Sequence, residues 1–324
     1  GTEDSRIRQF FMIAKKPWQF LVFLINHSSL NILALFVFFA CLLVFLVAGG
    51  PDVVGGDSPP TAYLPVSILK YRTLRLDPFV NRHPFFELSH HPHYVYESDG
   101  RYYSKFSPVT SVLITPIYAL DFLLFGIPGE CIPCNASRYM HLSTLAASLI
   151  EAGIAVLIFA SLSHLIPQVQ ALVLALAYAF GTYSWSAAVN TLTTQSTGEF
   201  FVALALLSLL RYHTTLDEKT AGKYISIAVG AMSLALAARP QLLFVVVLLG
   251  IHLLRQSWRR RQLRVWHLFP ALFVGILLSV YNMRAFGSPL RSGYGQEAQA
   301  GWQTPLISGV LGLLLSPAHG LVMY

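Results

Sequence analysis

Residues Leu30–Ala48 read LNILALFVFFACLLVFLVA, a run with no charge and no proline. An α-helix needs about 20 apolar residues to cross the hydrocarbon core of a bilayer, so this stretch predicts a first transmembrane helix. The segment before it carries Arg6, Arg8, Lys15 and Lys16, and basic flanks stay on the cytosolic side. No small-residue cleavage site follows the first apolar run. Residues 1–29 are therefore expected to be a cytosolic segment with a retained anchor, and whatever follows Ala48 should emerge on the outer face.

The rest of the chain has the same character. Of its 324 residues 55% are hydrophobic and 11% charged, which lies outside the range of a soluble globular domain. The fold class expected is an all-α polytopic membrane protein. A net charge of +7, from 22 basic and 15 acidic residues, could suggest a nucleic-acid partner. The basic residues fall between apolar segments rather than along one polar face, so nucleic acid is set aside. Topology and contact with membrane lipid are their expected roles.

Residues 49–137 form a long polar and aromatic loop. It opens on Gly55-Gly56-Asp57-Ser58-Pro59-Pro60-Thr61-Ala62-Tyr63, a Gly-Gly turn followed by a Pro pair that restricts where the next helix begins. Read locally, this is an ordinary turn capping a helix. Tyr63–Leu76 predicts a short amphipathic helix and Asp77–Ser107 ordered irregular backbone. Pro108–Phe125 is apolar and nearly long enough to span, but it contains Pro116 and Asp121. If it spans, Arg255, Arg259, Arg260, Arg261 and Arg264 fall outside; if it lies at the interface, they fall inside. Short-loop Lys and Arg bias favours the interfacial helix. Residues 138–324 then hold the remaining spans: Met140–Ser163, Val169–Ala188, Thr197–Leu210, Tyr224–Ala238, Gln241–Leu254, His267–Met283 and about Thr304–Leu315. That makes eight spans in all, and the apolar end at Tyr324 suggests a chain truncated relative to its natural length.

Five stretches taken in order resemble the GT-C superfamily of polyprenyl-phosphate-sugar-dependent glycosyltransferases, near its protein O-mannosyltransferase and aminoarabinose transferase branch. They are Gly56-Asp57-Ser58-Pro59 after helix 1, Leu74-Arg75-Leu76-Asp77-Pro78 at the end of the next helix, Asp99-Gly100-Arg101-Tyr102-Tyr103-Ser104-Lys105-Phe106-Ser107-Pro108, Tyr281-Asn282-Met283-Arg284-Ala285-Phe286-Gly287-Ser288-Pro289-Leu290, and Leu315-Ser316-Pro317-Ala318-His319-Gly320-Leu321. The chain departs from the family where many members carry an acidic pair, since Asp57 is followed by Ser58. The resemblance implies a GT-C-like bundle and inverting transfer of a sugar from a polyprenyl-phosphate donor. The acceptor would be a glycan, lipid or protein hydroxyl, and the site would face the periplasm of a bacterial inner membrane. It implies Asp57 as the base, because an acceptor hydroxyl needs a carboxylate within hydrogen-bond reach. Lys105, with Arg101, Arg239 and Arg284, would bind the donor phosphate, whose charge develops as it leaves. Arg138 and Arg291 are further cations on that side. Glu199 is the supporting carboxylate. Some branches use a divalent metal (Mg or Mn) and others none, which leaves the metal open here.

His83, His90, His91 and His93 form the densest histidine group; His91 and His93 have the spacing of a metal-binding pair, although packing by hydrogen bonds is the commoner use. Cys131 and Cys134 suit a small loop-closing disulfide in an oxidising compartment, and Cys41 a buried inert thiol. Glu151 falls inside an apolar span, where neighbouring hydroxyls are expected to satisfy it. Two rival classes stand beside the enzyme: a transporter, and a non-catalytic subunit with protein partners in a larger membrane complex.

Overall fold

In the computed structural model, residues 29–50, 55–88, 93–129, 131, 133–295 and 305–315 are described. The structure is mostly helical. Helix α1 is Leu30–Ala48, with Ser29 as its N-cap. Among the described residues five helices are long and apolar enough to cross a membrane: α1, the segment Pro133–Leu162 containing α4 (Ala136–Leu162), α8 (Glu218–Ala238), Pro240–Arg259 with α9 (Leu243–Arg259), and Val265–Phe286 with α10 (Phe269–Phe286). A sixth is a bent pair, α5 (Gln168–Gly181) and α6 (Tyr183–Val189), meeting at 63°. The eight-span expectation also counted α7 (Thr194–Thr214), whose first turn is polar, and α11 (Leu306–Leu315), which has 10 residues. Leu35, Phe39, Leu43 and Val47 on α1, and Leu248, Phe273 and Ile276 on α9 and α10, face outward as lipid-facing helices require.

Two expectations for the loop are corrected. Helix α2 runs Ser58–Tyr71, earlier than Tyr63–Leu76, because Pro59 and Pro60 occupy its first turn, where a missing N–H costs nothing. It is not a surface amphipathic helix either, since every residue from Ser58 to Ser67 is buried. Tyr63 sits at its centre, edge-on to Phe79, Phe86 and Tyr139. The stretch expected to be irregular contains an antiparallel hairpin, β1 (Val95–Ser98) and β2 (Arg101–Ser104), in register Val95 to Ser104. Asp99 (φ 50°) and Gly100 (φ 70°) make its two-residue turn, a geometry that Asp-Gly supplies at little steric cost. The fold is therefore helical with one small sheet.

Helix α3 (Val109–Phe125) is a 17-residue apolar helix that packs on α2. Asp121 is paired with Arg138 of α4 at 2.6 Å, which explains a carboxylate in an apolar helix and assigns Arg138 a structural role. Cys131 and Cys134 form a disulfide, and Cys41 is free and buried. The end of α10 docks on the hairpin: Tyr281 donates to the Ser104 carbonyl at 3.3 Å, and Phe286 meets Tyr96 edge-on.

Candidate functional site

The site begins where the turn before α2 meets the start of α7. Asp57 Oδ2 accepts two hydrogen bonds of 2.6 Å from Thr194, one from its backbone N–H and one from its hydroxyl. Thr194 is the first residue of α7, and its N-cap, Thr193, makes no side-chain cap. The Asp57 carboxylate thus fills the role that the local sequence leaves vacant, with an anion at the positive end of a helix. Among the described residues Asp57 Oδ1 has no hydrogen-bond partner. It lies against Gly55, where a Cβ would come within 2.9 Å of it. A Cβ on Gly56 would run into the His93 imidazole, so both glycines are required by close approach.

Residues 57 and 194, far apart in the chain, are thus held at the same end of the bundle.

Lys105 follows β2 and is buried; its backbone N–H donates to the Tyr94 carbonyl at 3.0 Å. Tyr94 is the neighbour of His93, so one chain of contacts runs from Asp57 through Gly56, His93 and Tyr94 to Lys105. The Lys105 ammonium lies 6.0 Å from the Tyr294 ring centre, and the backbone at Gly293 is pressed against Lys105. Arg239 closes the other side. It ends α8, and its Cβ stands 3.4 Å from where a Cβ on Gly198, in the second turn of α7, would be. Glu199 accepts from Tyr178 at 3.2 Å and from Gln195 at 3.1 Å. Asp57, Glu199, Glu151 and Arg239 all act electrostatically on the Tyr183 hydroxyl.

Two further expected cations are exposed. Arg101 is at the hairpin tip, four residues from Lys105; at about 3.3 Å per residue that is roughly 13 Å away along the strand. Arg284 is on the side of α10 that forms an outward apolar groove with Met283, Val280 and Leu272.

The histidines divide. His83 is buried, with Nε2 2.8 Å from the Tyr63 hydroxyl and Nδ1 accepting from the Phe85 N–H, so it is the Nε2–H tautomer with both nitrogens engaged. Burial lowers its pKa from 6.5 to about 4. His90 and His91 lie outside the described residues, as do Ser316–Leu321 and the N-terminal basic segment. Among the described residues no group of three His, Cys, Asp or Glu could hold a metal ion.

Sequence reasoning missed Thr194, Gln195, Tyr178, Tyr183 and Ser184. A signal was present in Thr191-Leu192-Thr193-Thr194-Gln195-Ser196-Thr197-Gly198-Glu199, a run of hydroxyls in an otherwise apolar chain. Thr191, Thr193, Thr194, Ser196 and Thr197 are all buried. The hydroxyls of Ser58, Thr193, Ser196 and Thr197 have no hydrogen-bond partner among the described residues. Buried polar atoms left unpaired are rare in structural cores; among the described residues these four lie at the start of α7 or beside it, while Ser161, Gln168, Tyr212 and Gln262 leave one each at the other end of the bundle.

No protein-family model, no curated protein and no solved structure matches the chain. The reading of the site rests on its own residues.

Proposed function

We propose that the chain is a membrane glycosyltransferase of GT-C type that moves a sugar from a polyprenyl-phosphate donor to an acceptor hydroxyl at the outer end of an eight-span bundle. In a bacterial inner membrane this end faces the periplasm. The reading is carried by the arrangement of Asp57: Oδ2 is anchored on Thr194, and Oδ1 has no hydrogen-bond partner among the described residues.

In the proposed reaction Oδ1 of Asp57 takes the proton of the acceptor hydroxyl. The acceptor oxygen attacks the anomeric carbon, and that carbon's bond to the donor phosphate oxygen breaks with inversion. The polyprenyl phosphate leaves with the bonding pair. Lys105, with Arg239 nearby, balances the charge on the departing phosphate, and anchoring Oδ2 keeps the base aimed without reorganisation. Glu199 supports the site through Tyr178 and Gln195.

Asp57→Asn keeps an acceptor for Thr194 and removes the base. With a panel of labelled polyprenyl-phosphate hexoses in proteoliposomes, it should lower transfer by about 10²- to 10⁴-fold while the unfolding temperature stays close to the parent's. Transfer at the parent's rate would remove Asp57 as base. One observation favours a second reading: the 63° break between α5 and α6 is the kind of discontinuous span that transporters use. For a transporter or a non-catalytic subunit, Asp57→Asn would leave no transfer activity to lose.

A further inference from the structure

Glu151 lies on the face of α4 that packs against α6 and α7, and none of its surface reaches solvent. Its Oε2 accepts a 2.6 Å hydrogen bond from the Ser184 hydroxyl, in the first turn of α6 just past the bend. Among the described residues the other oxygen, Oε1, and the Ser196 hydroxyl make no hydrogen bond of ordinary geometry, although α7 brings that hydroxyl close enough to interact with this carboxyl. Glu199, further along α7, brings a second carboxyl into electrostatic contact with Glu151. The remaining titratable and charged groups facing this place are Tyr178 from α5, Tyr183 from α6 and, toward the mouth, Asp57 and Arg239. Helix α1, which also packs on α4, carries no charged residue.

Among the described residues, two carboxyls are thus opposed by hydroxyl dipoles and, at the mouth, by the Arg239 guanidinium. An ionised carboxylate removed from water and lacking a paired cation is too costly to persist. A positive charge must enter, and the group that would hold it is already assembled: an unpaired carboxyl oxygen, an unpaired hydroxyl and a hydroxyl fixed at 2.6 Å. Oxygen donors alone suit a proton or a hard cation rather than a thiolate- or imidazole-seeking metal. We propose that Glu151, Ser184 and Ser196 form an intramembrane site for one monovalent cation, a proton or an alkali ion, which reaches it from the mouth by way of Glu199. The site is independent of the transferase reading and would stand if no sugar transfer were found.

The test uses the full chain in nanodiscs, with infrared spectra and thermal unfolding recorded in choline chloride and again after adding sodium or potassium chloride. If a proton occupies the site, the parent shows the carbonyl stretch of a protonated, water-free carboxyl, Glu151→Gln lacks it, and added sodium leaves it in place. If an alkali ion occupies the site, sodium or potassium raises the parent's unfolding temperature relative to choline and does not raise that of the variant. Absence of both signatures from the parent, or their persistence in Glu151→Gln, overturns the proposal. Should Glu151→Gln fail to fold, Ser196→Ala serves instead. It removes one donor oxygen and should weaken cation binding by roughly ten-fold, or shift the titration of the carboxyl band by about one pH unit. An unchanged response in Ser196→Ala equally overturns the proposal.

Discussion

The two ends of α7 are built on opposite principles. At its start, around Asp57, polar side chains are buried, close-packed against glycines and left with unpaired oxygens. At its end, around Tyr212, charged side chains are exposed and their bonds are spent on the backbone. Arg260 donates to the carbonyls of Tyr212, His213 and Thr215 and stacks 5.0 Å above the Tyr212 ring. Asp217 caps α8 by accepting from the Thr220 N–H at 2.8 Å, and Glu218 pairs with Arg264. The far end satisfies helix termini as a folded structure requires. Each end leaves some buried oxygens unpaired, Tyr212 and Gln262 at the far end and Ser58, Thr193, Ser196 and Thr197 at the near end. Only at the near end do they surround a half-anchored carboxylate, and such capacity is what a substrate or ion can take up.

Four substitutions or conditions separate those principles, taken here from the largest effect to the smallest. His83 is neutral in the fold, whereas the unfolded chain binds a proton at about pH 6.5; its contribution is complete above that pH and is lost as pH falls toward about 4. The loss should reach about 3 kcal/mol, visible as a slope of unfolding temperature against pH that His83→Gln abolishes. Thr194→Val removes one of the two bonds to Asp57 and should lower stability by about 2 kcal/mol and also reduce transfer, as measured by thermal unfolding and turnover together. Arg260→Ala should cost about 1 kcal/mol of stability by thermal unfolding and leave transfer unchanged, since it touches only the far end. Arg101→Gln, at the hairpin tip, should change unfolding by no more than about 0.5 kcal/mol. Loss of transfer in Arg260→Ala would erase the contrast between the two ends.

Much of the bundle was legible because apolar length is a local property. Leu30–Ala48 begins and ends where its composition changes, and the apolar core of α4 was anticipated to within a few residues of its ends. The hairpin was equally local, written in the Asp99-Gly100 turn, but the surrounding histidines and prolines obscured it. The bend between Gly181 and Tyr183 was written locally in Gly181-Thr182-Tyr183-Ser184, a glycine and hydroxyls inside an apolar run, and was passed over because the stretch is long enough to span without it; the bend is made by Thr182, which donates to the Tyr178 carbonyl and caps Ser184. Asp57 could be singled out from its setting, whereas its partner could not: Thr194 is 137 residues away, and that pairing comes only from packing. For the same reason the sequence could propose Lys105, Arg239, Arg101 and Arg284 as cations for one site but could not say which of them packing buries, as it does Lys105, and which it leaves exposed, as it does Arg101 and Arg284.

The central claim is that a lipid-borne phosphate is held between the Lys105 hairpin and the start of α7. A photoreactive polyprenyl phosphate, cross-linked to the parent in nanodiscs and mapped by mass spectrometry, measures this directly. Labelled peptides should contain residues 93–105 and 191–199, and the labelling should fall when unlabelled polyprenyl phosphate is added or when Lys105→Met is substituted. Labelling confined to the Arg255–Arg264 end, or undiminished in Lys105→Met, would contradict it.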